Sequence, residues 1–230
     1  LLFAAETARA LGATTVDLIA PYLPYMRQDK SFSSGEGVTS QYFAKLISQY
    51  FDSLLTIDPH LHRWQALNEI YDIPTQVLHA TESICAWIKQ EVKAPLLIGP
   101  DAESAQWIER IAQQLQAPFL VLEKKRMGDR SVEISIPKIE LFADKTPVLI
   151  DDIISTATTM IAAVKHIHAL KIGPPICIGV HAIFADDAYQ NLRRSGVKTI
   201  VTCNTIVHES NAIDVSAMIA NALKGQNKLF

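Results

Sequence analysis

Three cysteines stand among 230 residues: Cys85, Cys177 and Cys203. Their number is odd, and no two have the spacing of zinc ligands. A disulfide framework and a structural zinc site are therefore excluded, and packed, reduced thiols in a cytoplasmic protein are expected. A strong excess of either charge is missing too. Lys and Arg number 21 against 24 Asp and Glu, a net charge of −3, so no basic excess marks nucleic acid as a main partner. Long apolar runs are absent. The most apolar stretch, 176–185, falls short of the roughly 20 residues of a membrane span and carries His181, so no membrane partner is expected. The opening residues, Leu1 to Ala10, have no basic flank and read as an amphipathic helix rather than a signal peptide. There is also no low-complexity linker and no exact internal repeat.

What is present is a steady alternation. Short β-rich or apolar runs lie at 16–20, 53–57, 75–78, 95–98, 119–122, 147–150, 176–182 and 199–202. Helical spacing fills most of the intervals: 39–51, 81–91, 103–115, 156–170, 186–194 and 214–223. In the first of these helices Tyr42, Phe43, Leu46, Ile47 and Tyr50 are the candidate buried positions. Hydrophobic residues make up 49% of the chain, enough for one or two cores. Strands alternating with helices imply an α/β fold of mainly parallel sheets flanked by helices. One series ends and another begins near 79–81. Ligands of such sheets gather at the carboxyl ends of strands.

The segment Val148-Leu149-Ile150-Asp151-Asp152-Ile153-Ile154-Ser155-Thr156-Ala157-Thr158-Thr159-Met160 carries the most chemistry. An apolar strand ends in two carboxylates, a hydroxyl-rich loop follows, and a helix opens. Loop amides and a helix N-terminus attract an anion, and the hydroxyls add donors. Adjacent carboxylates suit ribose hydroxyls or Mg²⁺. A plain strand–helix turn with Ser155 as N-cap accounts for the Ser and one Thr, but not for the Asp pair.

Four further segments stand at strand ends. Pro24-Tyr25-Met26-Arg27-Gln28-Asp29-Lys30 is followed by Gly35-Glu36-Gly37-Val38-Thr39-Ser40, and a guanidinium such as Arg27 binds phosphate oxygens bidentately. Thr56-Ile57-Asp58-Pro59-His60-Leu61-His62 offers a carboxylate and an imidazole. Ile98-Gly99-Pro100-Asp101-Ala102-Glu103-Ser104 opens a helix, where acids are common. Glu123-Lys124-Lys125-Arg126-Met127-Gly128-Asp129-Arg130 is a basic run; alone it reads as a solvated turn.

In this order the five segments resemble the ribose-phosphate pyrophosphokinases (PRPP synthetases), archaeal-type sequences in particular, over nearly the whole chain. The resemblance implies two phosphoribosyltransferase-like domains, 1–79 and 80–213, with the C-terminal helix 214–230 returning to the first. It implies transfer of the diphosphoryl group of ATP to ribose 5-phosphate, giving PRPP and AMP, with Mg²⁺ as cofactor and a homo-oligomer, dimer or larger. By the same resemblance Asp101, Asp151, Asp152, Ser155, Thr156, Ala157, Thr158 and Thr159 would hold ribose 5-phosphate. Arg27, Gln28, Asp29 and His60 would contact ATP, and Lys124, Arg126 and His60 would serve catalysis. His60, Asp58 and Asp101 are the metal candidates, although neutral imidazole is an unusual Mg²⁺ partner. Tyr71-Asp72-Ile73-Pro74 resembles a turn near the family's metal, which makes Asp72 a weak candidate. His62, His166 and His168 carry no assigned role.

Three departures from the family pattern stand out: Pro59, Glu103 where a Gly is usual, and Thr158 where a Gly is usual. If position 158 needs positive φ, a β-branched residue is strained there. Against the family, the chain is expected to begin partway through the first domain. Two alternatives stay open: a catalytically silent homologue that binds ribose phosphate or nucleotide, and a nucleobase transferase that uses PRPP.

Overall fold

The computed structural model describes residues 1–122 and 142–226. The expected catalytic positions Lys124 and Arg126 lie outside the described residues. The chain divides into two compact units, Leu1–His79 and Ala80–Phe230.

In the first unit, α1 (Leu2–Ala10), β1 (Asp17–Ala20), α2 (Thr39–Tyr50), β2 (Ser53–Ile57) and β3 (Thr75–Leu78) follow one another, with a 3-10 turn at Leu67–Glu69 before β3. The strands pair in parallel in the order β1-β2-β3. Central β2 buries Leu54, Leu55, Thr56 and Ile57, whereas edge strand β1 buries only Leu18. Ile47 and Ala44 of α2 pack into the core with Leu18, Leu54, Met26 and Ala5. The helical spacing was right for Ile47, but Tyr42 and Leu46 lie exposed at 61% and 39%. A three-stranded sheet covers only a narrow stripe of a helix, so the outer residues of the apolar face stay in water. Asp52 ties the unit's opening together. It accepts the Val16 N–H at 2.7 Å and pairs with Arg9 at 2.8 Å, and these two partners hold its carboxyl below the ordinary range.

The second unit runs α3 (Thr81–Glu91), β4 (Pro95–Gly99), a 3-10 turn (Ala102–Ser104), α4 (Ala105–Leu115), β5 (Phe119–Val121), β6 (Thr146–Ile154), α5 (Thr158–Ala169), β7 (Ile176–Ala182), α6 (Ala188–Arg194), β8 (Thr199–Cys203), β9 (Asn211–Ile213) and α7 (Ser216–Gln226). Among the described residues the six strands are parallel, in the order β5-β4-β6-β7-β8-β9. Leu96–Ile98, Val148–Ile150 and Ile176–Ile178 are buried on both faces, as a doubly covered sheet demands. The parallel α/β expectation holds.

Strand β9 is three residues long and had no signal in the sequence. Helix α7 belongs to the second compact unit. Its start is tied there: Asn204 Nδ2 donates to Asp214 Oδ1 at 2.7 Å, and the Val215 N–H donates to Asn204 Oδ1 at 2.9 Å. The three cysteines are buried thiols in no disulfide, and burial raises the thiol pKa of Cys85 and Cys177, so neither is an activated nucleophile. Among the described residues no helix is long and apolar enough to cross a membrane.

Candidate active site

Strand order locates the site of the second unit. From β4 the chain crosses to β5 on one side, and β6 leads to β7 on the other. The order therefore reverses between β4 and β6, where the loops leaving the two carboxyl ends part and open a crevice. Asp101 follows β4, and the Asp151–Thr159 segment closes β6.

Strand β6 is longer than its apolar run. It continues through Asp151 and Asp152 to Ile154, because the ladder to β7 continues as Asp151↔Gly179, Ile153↔His181 and Ile154↔Ala182. The carboxylates thus sit inside the last turn of the strand, not beyond it. Any Cβ at Gly179 would meet Ile154 Cδ1 at 2.7 Å and Cγ1 at 2.8 Å. The glycine makes room for the side chain that closes the strand. Asp152 N–H donates to Asp151 Oδ1 at 3.0 Å. The Asp151 carboxyl is pushed well above the ordinary range, chiefly because it is withdrawn from water, then by the charges of Asp152 and Asp101. Three acids from two strand ends therefore share one region.

Asp101 is held on its own turn. Its Oδ1 accepts the Ser104 N–H at 3.2 Å, and Ser104 Oγ donates to Asp101 O at 2.6 Å. Gly99 leaves the space that Ser104 Oγ occupies. Nothing is described of the Glu103 side chain.

After β6, Ser155 and Thr156 turn the chain. Ala157 takes φ 59, ψ 8, and α5 starts at Thr158. Position 158 does not need positive φ: the left-handed residue is Ala157, and Thr158 is helical, an ordinary conformation for a β-branched residue. Ser155 is not the N-cap; Ala157 is, and no side chain caps the helix. The first-turn amides are left for another acceptor. The hydroxyls of Thr156 and Thr158 lie 3.1 Å apart on the exposed side, with Thr159 partly exposed beside them.

In the first unit the candidates also lie at carboxyl ends. Arg27 and Gln28 are exposed. Gln28 bridges to α2, its carbonyl accepting the Ser40 N–H at 3.3 Å and its Oε1 accepting from Thr39 Oγ1 at 3.4 Å. Asp29 faces Arg63 at 3.7 Å. His60 and His62 meet edge to face, with ring centroids 3.9 Å apart. Asp58, at φ 37, pairs with His79 Nδ1 at 2.7 Å. That partner was missed, yet the register holds it. Ile57 and Leu78 are opposed as the last residues of β2 and β3, so the next residue of each must meet. Asp72 is exposed, and its N–H donates to Ser48 Oγ at 3.1 Å.

Comparison with known proteins bears on this arrangement. Residues 66–217 match the phosphoribosyl transferase domain, and residues 1–50 match the N-terminal domain of ribose phosphate pyrophosphokinase. A ribose-phosphate pyrophosphokinase of Saccharolobus solfataricus is 33% identical over 231 residues, spanning 97% of this chain and 77% of that protein. The chain belongs to the ribose-phosphate pyrophosphokinase family. Other pyrophosphokinases of the family come from Sulfurisphaera tokodaii, 31% identical over 97% of this chain and 77% of that one, and Methanobrevibacter smithii, 29% identical over 97% and 78%. The crystal structure of phosphoribosylpyrophosphate synthetase from Mycobacterium smegmatis covers 100% of this chain and 77% of its own, with a TM-score of 0.85 at 21% identity. That match shows the fold, two phosphoribosyltransferase-like α/β domains.

Proposed function

We propose that the chain is a ribose-phosphate pyrophosphokinase that converts ATP and ribose 5-phosphate to PRPP and AMP. The observation that carries the reading is the switch-point site of the second unit. There an uncapped helix start and the hydroxyls of Thr156, Thr158 and Thr159 adjoin the carboxylates of Asp151, Asp152 and Asp101. Ser155, Thr156, Ala157, Thr158 and Thr159 would cradle the 5-phosphate through amides and hydroxyls. The carboxylates would accept hydrogen bonds from the ribose hydroxyls and orient the anomeric one. In the first unit, Arg27, Gln28, Asp29 and His60 would contact ATP. The anomeric oxygen attacks the β-phosphorus, and its bond to phosphorus forms as the bond to the α,β-bridging oxygen breaks. AMP leaves with that oxygen, and the hydroxyl proton passes to solvent. Lys124 and Arg126 keep their role from the resemblance, offsetting charge in the transition state.

The donor set fits Mg²⁺ unevenly. Carboxylate oxygens of Asp101, Asp151 and Asp152 are the hard ligands that ion prefers, while Asp58 is engaged by His79 and the imidazole of His60 is a poor match. Mg²⁺ would supply neutralisation of the diphosphate charge. With Thr158 in ordinary helix, that departure from the family pattern gives no reason to favour a silent homologue. A homo-oligomer remains part of the proposal, supported by Leu1, Phe3, Leu11, Phe32 and Tyr42 of the first unit, each more than half exposed. The test is mass spectrometry for PRPP and AMP after incubation with Mg²⁺-ATP and ribose 5-phosphate. Equal amounts of both, absent without ribose 5-phosphate, are expected. Ribose 5-phosphate binding without product, at any phosphate concentration and with ADP also tried as donor, would favour the silent homologue.

A further inference from the structure

The candidate phosphate loop does not stand on β6 alone. Past the last ladder pair, Ile154↔Ala182, the Phe184 N–H donates to Ile154 O at 2.9 Å and the Ala185 N–H donates to Ser155 O at 3.1 Å. The turn after β7 thus holds the carbonyl of the loop's first residue. Phe184 does this from φ 41, with Asp186 at φ 52, a region that non-glycine residues occupy when their surroundings hold them there.

What holds Phe184 is a cluster of three rings from three segments. Tyr189, in the first turn of α6, lies edge-on at 5.1 Å, and His208, between β8 and β9, lies at 4.6 Å. Tyr189 and His208 are 4.7 Å from each other, edge-on. Phe184 is 8% exposed. His208 is itself oriented. Its Nδ1 faces the Ser210 N–H at 3.1 Å and Ser210 Oγ at 2.8 Å. A nitrogen accepting from an amide is unprotonated, which places the ring proton on Nε2 and makes the Ser210 hydroxyl a donor. That hydroxyl then accepts from Thr202 Oγ1 at 2.8 Å, and Thr202 accepts from Asn211 Nδ2 at 2.9 Å. The hydrogen bonds run one way from β9 to the ring.

We propose that Phe184, Tyr189 and His208 form a positioning cluster for the phosphate loop. They lock the 183–186 turn, whose two amides set the backbone of Ile154 and Ser155, and so govern affinity for the 5-phosphate of ribose 5-phosphate. None of the three contacts substrate in this account. The inference rests on the reading of 155–159 as the phosphate site.

The full chain carrying Tyr189→Ala, and separately His208→Ala, tests it. Amide hydrogen exchange at Phe184 and Ala185 should quicken at least tenfold. The dissociation constant for ribose 5-phosphate should rise at least tenfold by calorimetry, with that for Mg²⁺-ATP within twofold. Tyr189→Phe keeps the ring and should restore both readouts. Unchanged exchange at the two amides, or equal weakening of both ligands alongside a lowered melting temperature, would overturn the proposal. If the unaltered chain does not bind ribose 5-phosphate, the phosphate reading fails, and the exchange at Phe184 and Ala185 still decides whether the cluster clamps the turn.

Discussion

Replacing Asp151 by Asn should stabilise the protein at neutral pH. Asp151 is withdrawn from water beside two other acids, and its carboxyl holds a proton more tightly than the ordinary aspartate value of 3.8. Unfolding returns it to that value. The native state therefore binds more protons than the unfolded chain at every pH between the two values. Stability must fall as pH rises through this window, by up to about 1.4 kcal/mol per pH unit for one proton. Below 3.8 both states are protonated and the penalty vanishes. Asn cannot ionise, and its amide oxygen can still accept the Asp152 N–H, so the variant loses only the charge. The gain is read as a raised melting temperature, each 1 kcal/mol being worth roughly 2–4 °C in a chain of this size. Asp52 and Asp214 tilt the other way: their lowered values give stability present above 3.8 and lost as pH falls. Both proteins share them, so the difference curve cancels them. Urea unfolding of both chains from pH 4 to 8, followed by tryptophan fluorescence, measures that difference. It should open from near zero at the acid end and favour the variant increasingly toward neutrality. A constant difference, or one that grows toward acid, would refute the placement of Asp151. In the proposed function the same variant binds ribose 5-phosphate more weakly, a stability gained at the expense of the site.

Thr156→Val or Thr159→Val should weaken ribose 5-phosphate binding by roughly 1.5–3 kcal/mol, the worth of a hydrogen bond to a charged group, with melting temperature nearly unchanged; an unaltered calorimetric dissociation constant would remove the loop from the site. Ala157→Gly should change stability by less than about 0.5 kcal/mol. Relief of a left-handed alanine, about 1 kcal/mol, is offset by the lost methyl burial of about 0.8 kcal/mol, and a loss above 2 kcal/mol in denaturant melts would contradict φ 59. Gly179→Ala should cost about 1–3 kcal/mol by overpacking against Ile154, and combining it with Ile154→Ala should give a smaller loss than the two single losses added; simple additivity in the double-mutant cycle would argue against the contact. Lys124→Ala and Arg126→Ala should lower kcat far more than they raise KM, since their contacts belong to the transition state, and steady-state kinetics showing the reverse would make them binding residues only.

Local pattern by itself carried the parallel α/β architecture and the strand and helix order, and it marked the acids and hydroxyls at 151–159 as candidates. Hydrophobic period and strand-end acids are properties of adjacent residues, and adjacency is what a sequence displays. The Asp pair and the threonines could be named as candidates for that reason, whereas Asp101 was marked by the family resemblance. Tertiary structure decided what depends on which strands lie side by side. Strand order set the crevice between β4 and β6, which brought Asp101, 50 residues away in sequence, near Asp151; withdrawal of Asp151 from water chiefly, then the charges of Asp152 and Asp101, raised that carboxyl's hold on its proton. Pairing with β7 carried the β6 strand past the carboxylates to Ile154. It also decided that the left-handed residue of the loop is Ala157, with Thr158 already in helix. The partnership of Asp58 with His79, and of Phe184 with Tyr189 and His208, arises from neighbouring strand ends and loops. Parallel strands joined by long crossovers place such residues together at separations no local period can report.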